Sequence, residues 1–179
     1  MNFQRLPQFL LIILVYSGFS QNTKTGPIIE DFGAVWEIDN PDFATDQSQE
    51  FKAVFDVKDG PESDTEVNRN INTVARFLNM HAQSGIPVSQ LKAALVVHGT
   101  AARNLLSDDA YKARYKVENP NRELIESLLN ADVEIIMCGQ SSKTRDFPKE
   151  DLIPGVKIAL SAMTANIQLQ NQGYRPIKL

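Results

Sequence analysis

The sequence predicts an α/β fold of three layers, a mainly parallel sheet of about five strands held between helices. Three observations carry this prediction. Short apolar runs rich in branched residues recur at 51–58, 91–97 and 133–137; each ends in a polar or glycine-bearing turn; and helical stretches fill the intervals. Strands that alternate with helices need crossover connections, and crossovers make parallel sheets covered on both faces.

The chain opens with Arg5, an apolar stretch from Phe9 to Tyr16 and the small residues Ser17, Gly18 and Ser20. That is the order of a secretory signal peptide, and the apolar run is shorter than the ~20 residues of a membrane span. We expect residues 1–20 to be cleaved after Ser20, leaving an exported protein, periplasmic or secreted, with no stable membrane anchor. No cysteine follows the apolar run to carry a lipid. Residues 21–50 mix Gly26-Pro27, Asn40-Pro41 and acidic side chains around Phe32-Gly33-Ala34-Val35-Trp36, and read as an irregular N-terminal extension. The α/β domain spans 51–179.

Within that domain, Ala53, Val54, Phe55 and Val57 make a strand that runs into the turn Asp59-Gly60-Pro61. Ser63-Asp64-Thr65-Glu66 has the spacing of a capping box, which predicts a helix from that point. Val67, Ile71, Val74, Leu78 and Ala82 recur at helical spacing on one face, and Gly85 supplies the stop. Residues 91–97 form a nearly unbroken apolar run ending at His98-Gly99, as in a strand buried on both faces. A short helix is expected over 101–106, and the pattern assigns nothing to 107–116. Asn119-Pro120 reads as a cap and first-turn pair for a helix buried through Leu124, Ile125, Leu128 and Leu129. Residues 133–137 make the third strand, closed by Cys138. Beyond a polar stretch over 141–151, a fourth strand is expected over 156–160, a helix over 161–172 stopped by Gly173, and a last strand over 174–177. Leu160, Met163 and Ile167 read as core.

The 179 residues suit one domain, and 42% hydrophobic content suffices for a core. The net charge is −4, and signal cleavage would remove one cation, Arg5, and make it −5. No basic cluster offsets this acidity, so no nucleic-acid partner is expected. No phosphate-binding glycine loop and no serine-hydrolase elbow is present. Asp108-Asp109 and Glu150-Asp151 read as solvated surface. His81, His98 and Cys138 lack the close spacing of zinc ligands, so neither a metal nor another cofactor is expected.

Cys138 is the one cysteine, which rules out an internal disulfide. Its thiol is either a nucleophile or sulfur carrier, a small apolar plug, or a link to another chain. In parallel sheets ligands gather at the carboxyl ends of strands, and three ends here carry polar groups. The first delivers Asp56 and Asp59, the second His98-Gly99-Thr100, and the third Cys138-Gly139-Gln140-Ser141. His98 is either an acid–base or ion-pair partner for the thiol or a strand end bonded to backbone. Gly99, Asn119, Gly139, Gln140 and Ser141 are candidates to bind a ligand at this rim.

Phe51-Lys-Ala-Val-Phe-Asp-Val57, the helix around 72–79, Val96-Val-His-Gly99, Asn119-Pro-Asn121, the run from Val133 to Ser141 and Gly155-Val-Lys-Ile-Ala-Leu-Ser161 together resemble the DsrE/DsrF-like family. The likeness covers residues from about 50 to 179, and it rests on the order of the motifs more than on any one of them. It implies an α/β/α fold and homo- or hetero-oligomers, commonly trimers or hexamers. Relatives that relay sulfur hold it as a persulfide on a cysteine at a strand end before a polar turn, the position of Cys138. The apparent export signal departs from cytoplasmic relays. The expectation is an exported carrier that takes sulfane sulfur on Cys138 from a donor and passes it to a partner thiol. The alternative is a non-catalytic oligomeric binding module with Cys138 as packing.

Overall fold

A computed structural model of the chain describes residues 23–179, so the expected signal peptide lies outside the described residues. The elements follow one another as β1 (Phe51–Val57), α1 (Arg69–Gln83), β2 (Leu91–Val97), α2 (Asp108–Tyr115), α3 (Arg122–Asn130), β3 (Glu134–Cys138), α4 (Gly139–Arg145), β4 (Lys157–Ala159), α5 (Ala162–Asn171) and β5 (Arg175–Ile177). The sheet has the order β4-β3-β2-β1-β5, and every pair is parallel. From β1 to β4 the chain steps in one direction, so right-handed crossovers place the intervening helices on one face. The last connection runs back across the sheet to reach β5 beyond β1, which puts α5 on the opposite face.

Alternation along the strands separates two cores accordingly. Ala53, Phe55 and Val57 of β1, Leu95 and Val97 of β2, and Ile135 and Met137 of β3 join the helices of the first face. Val54, Ala94, Val96, Ile136 and Cys138 point the other way, against Ala162, Ala165 and Leu169 of α5. The central strands are thus apolar on both sides, as the sequence pattern predicts.

Several local expectations are corrected. The first helix is capped by Asn68, whose side chain accepts from the N–H groups of Asn70 and Ile71, and not by Ser63, which closes a turn with Thr65. Asn119 does not cap α3; Asn121 precedes that helix, and Asn119 accepts from its N–H at 2.9 Å. The segment 107–116 contains α2, capped by Ser107, and 101–106 falls mostly in a 3-10 helix over Gly99–Leu105. The polar stretch after Cys138 begins with a helix, α4. Leu160, Met163 and Ile167 are 73%, 74% and 60% exposed, so they are not core. Helix α5 buries the parallel stripe of Ala162, Ala165 and Leu169, because these small residues let it approach the sheet.

The extension is tied down by α1 side chains, with Asn72 accepting from the Gly33 N–H, Gln83 donating to the Lys24, Thr25 and Gly26 carbonyls, and the buried Asn79 making the largest set of bonds. Asn79 on α1 accepts from the N–H groups of Ile28 and Ile29 and donates to the carbonyls of Ile29, Phe32 and Gly33. An antiparallel bridge between Lys24 and Val35 closes the loop so formed.

Candidate functional site

The strand order places β1, β2 and β3 side by side, so the polar groups at their carboxyl ends meet. Cys138 and Val96 both point toward α5, and the two-residue repeat of a strand sends Asp56 and His98 to that same side. The three strand ends are brought together at one cavity of 590 Å³, with Asp56, His98 and Cys138 from the strand ends and Gln140 and Ser141 from α4. Its opposite wall is the start of α5, through Ser161, Ala162, Met163, Asn166 and Ile167.

Cys138 is 6% exposed and sits at the start of α4, in front of the N-terminal end of α5. Burial pushes its thiol up, and this is the largest single influence. The N–H groups of Ser141 and Ala162, the Ser141 hydroxyl and the Gln140 N–H together outweigh it and leave the thiol below its ordinary value of 9.0. No side-chain cap bond of regular geometry forms at this end of α4, so these groups act as nearby partial positive charges that favour the thiolate.

Ser141 connects two of the strand ends. Its Oγ accepts the Gly99 N–H at 3.1 Å, which ties the loop after β2 to the first turn of α4. Gly99 therefore supports the site from behind. Its φ of +56° is a left-handed conformation, and an added Cβ there would meet the Lys58 carbonyl at 2.7 Å. Gly139 serves by close approach: a Cβ on it would lie 2.5 Å from the Ala159 carbonyl of β4. Gln140 donates to the Leu160 carbonyl at 3.2 Å and so holds the strand-to-helix loop of α5 against α4.

His98 Nε2 lies 3.4 Å from Asp56 Oδ1, within ion-pair reach but not aligned as a hydrogen bond. Asp56 is fixed from the other side by the Asn166 amide, which donates to the same oxygen at 3.0 Å. Asn119 does not line this cavity. It is buried, and its amide donates to the Asn104 and Leu106 carbonyls at 3.0 and 2.6 Å, joining an asparagine network that holds the loops after β1 and β2. Sequence reasoning brought Asp56 to the rim without giving it a partner, and it missed Asn166. The available signal was the two-residue repeat that aligns Asp56 with Val54; Asn166 lies in the sequence 110 residues from Asp56 and gave none. Among the described residues no cluster of histidine, cysteine or carboxylate side chains could hold a metal ion.

Residues 52–179 match the DsrE/DsrF-like family. The chain belongs to that family. It is a family associated in general with sulfur relay. The solved structure of a protein of unknown function from Methanobacterium thermoautotrophicum has the same fold, with a TM-score of 0.55 and 16% identity over 72% of this chain and 99% of that one. The ychN protein from E. coli gives a TM-score of 0.49 and 17% identity over 70% of this chain and 97% of its own. No curated protein matches. Cys138, His98, Gln140 and Ser141 all lie inside the matched span, whereas the extension lies outside it.

Proposed function

We propose that this protein is an exported sulfur carrier that accepts sulfane sulfur as a persulfide on Cys138 and passes it to a partner thiol. The observation that carries this reading is the Cys138 thiol at the floor of a 590 Å³ cavity, with surrounding N–H groups and a hydroxyl that favour its anion. The thiolate attacks the outer sulfur of thiosulfate, forming a sulfur–sulfur bond while the sulfur–sulfur bond of the donor breaks and sulfite leaves with the electron pair. The persulfide keeps one negative charge, which the same N–H groups stabilise. His98, on the cavity wall beside Asp56, supplies a proton to the outer sulfur. A partner thiol gives its proton to His98 and, as thiolate, attacks that protonated sulfur, takes it as its own persulfide and releases Cys138 as thiolate. The net result is transfer of one sulfur atom without an external oxidant or reductant.

The carrier acts as a homo-oligomer. Exposed Leu160 and Met163 beside the cavity form a surface suited to a second copy.

Incubation with thiosulfate or polysulfide followed by intact-mass measurement tests the reading. One added sulfur on the wild type and none on Cys138→Ser is expected. No addition to the wild type, or equal addition to both, would overturn it.

One observation favours a second reading, a binding module with Cys138 as packing: the thiol is buried among Val54, Val96 and Ile136. Absence of alkylation until denaturation would select that reading.

A further inference from the structure

The face of the sheet opposite Cys138 carries a second cavity, of 760 Å³, inside the about 300–1,000 Å³ range of small-molecule sites. Its position follows from topology. Strand β5 is added beyond β1 after the chain has crossed to the α5 face, so α1 covers β1 and β2 while no helix covers β5 on this side. The gap is floored by Phe51 and Phe55 of β1 and by Ile177 of β5, with Phe55 and Ile177 opposite each other in register.

The wall is one face of α1, with Thr73, Arg76, Phe77, Met80 and His81 at intervals of three, one, three and one. Aromatic rings meet there: Phe55 and Phe77 at 5.6 Å, Phe77 and His81 at 4.5 Å, and Phe51 and His81 at 4.8 Å. The extension adds Val35 and Gln49, so part of the cavity is built by residues outside the span that matches the family.

Two cations stand over this apolar floor. Arg76 comes from α1, and Arg175 comes from β5 beside Ala53. Neither guanidinium makes an ion pair or a side-chain hydrogen bond among the described residues, although acidic residues outnumber basic ones in the chain by 22 to 18. The carboxylate at the cavity, Glu50, is engaged with Lys52 at 3.4 Å, and Lys52 turns to the Tyr174 ring on the other face. An aromatic floor with two arginines free of carboxylates is complementary to a ligand with an apolar body and one anionic head.

We propose that this cavity binds a monocarboxylate with an aromatic or alkyl body, its carboxylate between Arg76 and Arg175 and its body on Phe51, Phe55 and Phe77. The site is independent of the sulfur chemistry on the opposite face. Calorimetric titration with phenylbutyrate, and with neutral phenylbutanol as its control, tests it. Saturable one-to-one binding is expected, with the alcohol about tenfold weaker and Arg76→Gln or Arg175→Gln each losing about fivefold. Amide shifts should centre on Thr73, Phe77 and Gly173, and Cys138→Ser should bind as the wild type does. Both arginines are exposed, so their replacement leaves the core intact. Lack of saturable binding, equal binding of acid and alcohol, or an unchanged affinity in the double arginine variant would overturn the proposal.

Discussion

The sulfur chemistry proposed for Cys138 depends on a contest between burial, which favours the thiol, and the partial positive charges at the start of α4 and α5, which favour the thiolate. The second effect wins, so the rate of alkylation should rise through an inflection below pH 9.0. Removing the Ser141 hydroxyl takes away one of the contributions that lower the pKa, and Ser141→Ala should move that inflection upward. A titration of iodoacetamide rate against pH, compared between wild type and variant, checks both statements. The same shift links to stability with a definite sign. Because the folded pKa is depressed, its stabilising contribution is fully present above about pH 9, the unfolded value, and is lost as pH falls through the folded value. The difference in thermal midpoint between wild type and Cys138→Ser should therefore grow in favour of the wild type on going from neutral pH toward pH 9. An equal difference at all pH values would remove the thiolate from the account.

Among the elements, α4 is the one on which the site depends and the one least visible in the sequence. It is polar along its length and buries only Ser142, whose Oγ donates to the Phe147 carbonyl at 2.7 Å, so it has no apolar periodicity to announce it. Its position against β4 requires Gly139, and Gly139→Ala should push the Ala159 carbonyl away, lowering stability by about 1–3 kcal/mol and slowing alkylation of Cys138. Chemical denaturation and the alkylation rate report the two effects. The strands, by contrast, were legible because β1, β2 and β3 are apolar on both faces and end in polar turns. Capping was legible only as a type of residue: Ser63 had the right spacing, yet the polar network around Asn68 decided where α1 starts. In α5 two stripes had the same spacing, and the bulkier one was the wrong choice since close packing on the sheet requires Ala162 and Ala165. The extension is fixed by a contact no local pattern reveals. Asn79→Ala leaves the N–H groups of Ile28 and Ile29 without their acceptor and should cost about 2–4 kcal/mol. Limited proteolysis should then cut the 23–50 segment first.

For the whole molecule, the exposed apolar stripe that runs from β4 through the following loop to α5 acquires a meaning that neither element nor residue gives it. Ile158, Leu160, Met163 and Ile167 present 39%, 73%, 74% and 60% of their surface, and two of them, Met163 and Ile167, also wall the Cys138 cavity. A stripe of this kind at the mouth of a site stays dry only if something covers it, and covering it would exclude water from the thiolate. A second copy of the chain is the proposed cover, so sedimentation of the wild type should give a mass above that of one chain. Leu160→Glu and Met163→Glu place charges in the contact and should shift the protein to the monomer, whereas Val88→Glu, at an exposed position that does not line the cavity, should leave the assembly intact. In the dissociated variants Cys138 should alkylate faster, because the cavity mouth is uncovered. A wild type that sediments as one chain at every concentration, or variants that dissociate without any change in Cys138 reactivity, would separate the apolar stripe from the Cys138 cavity.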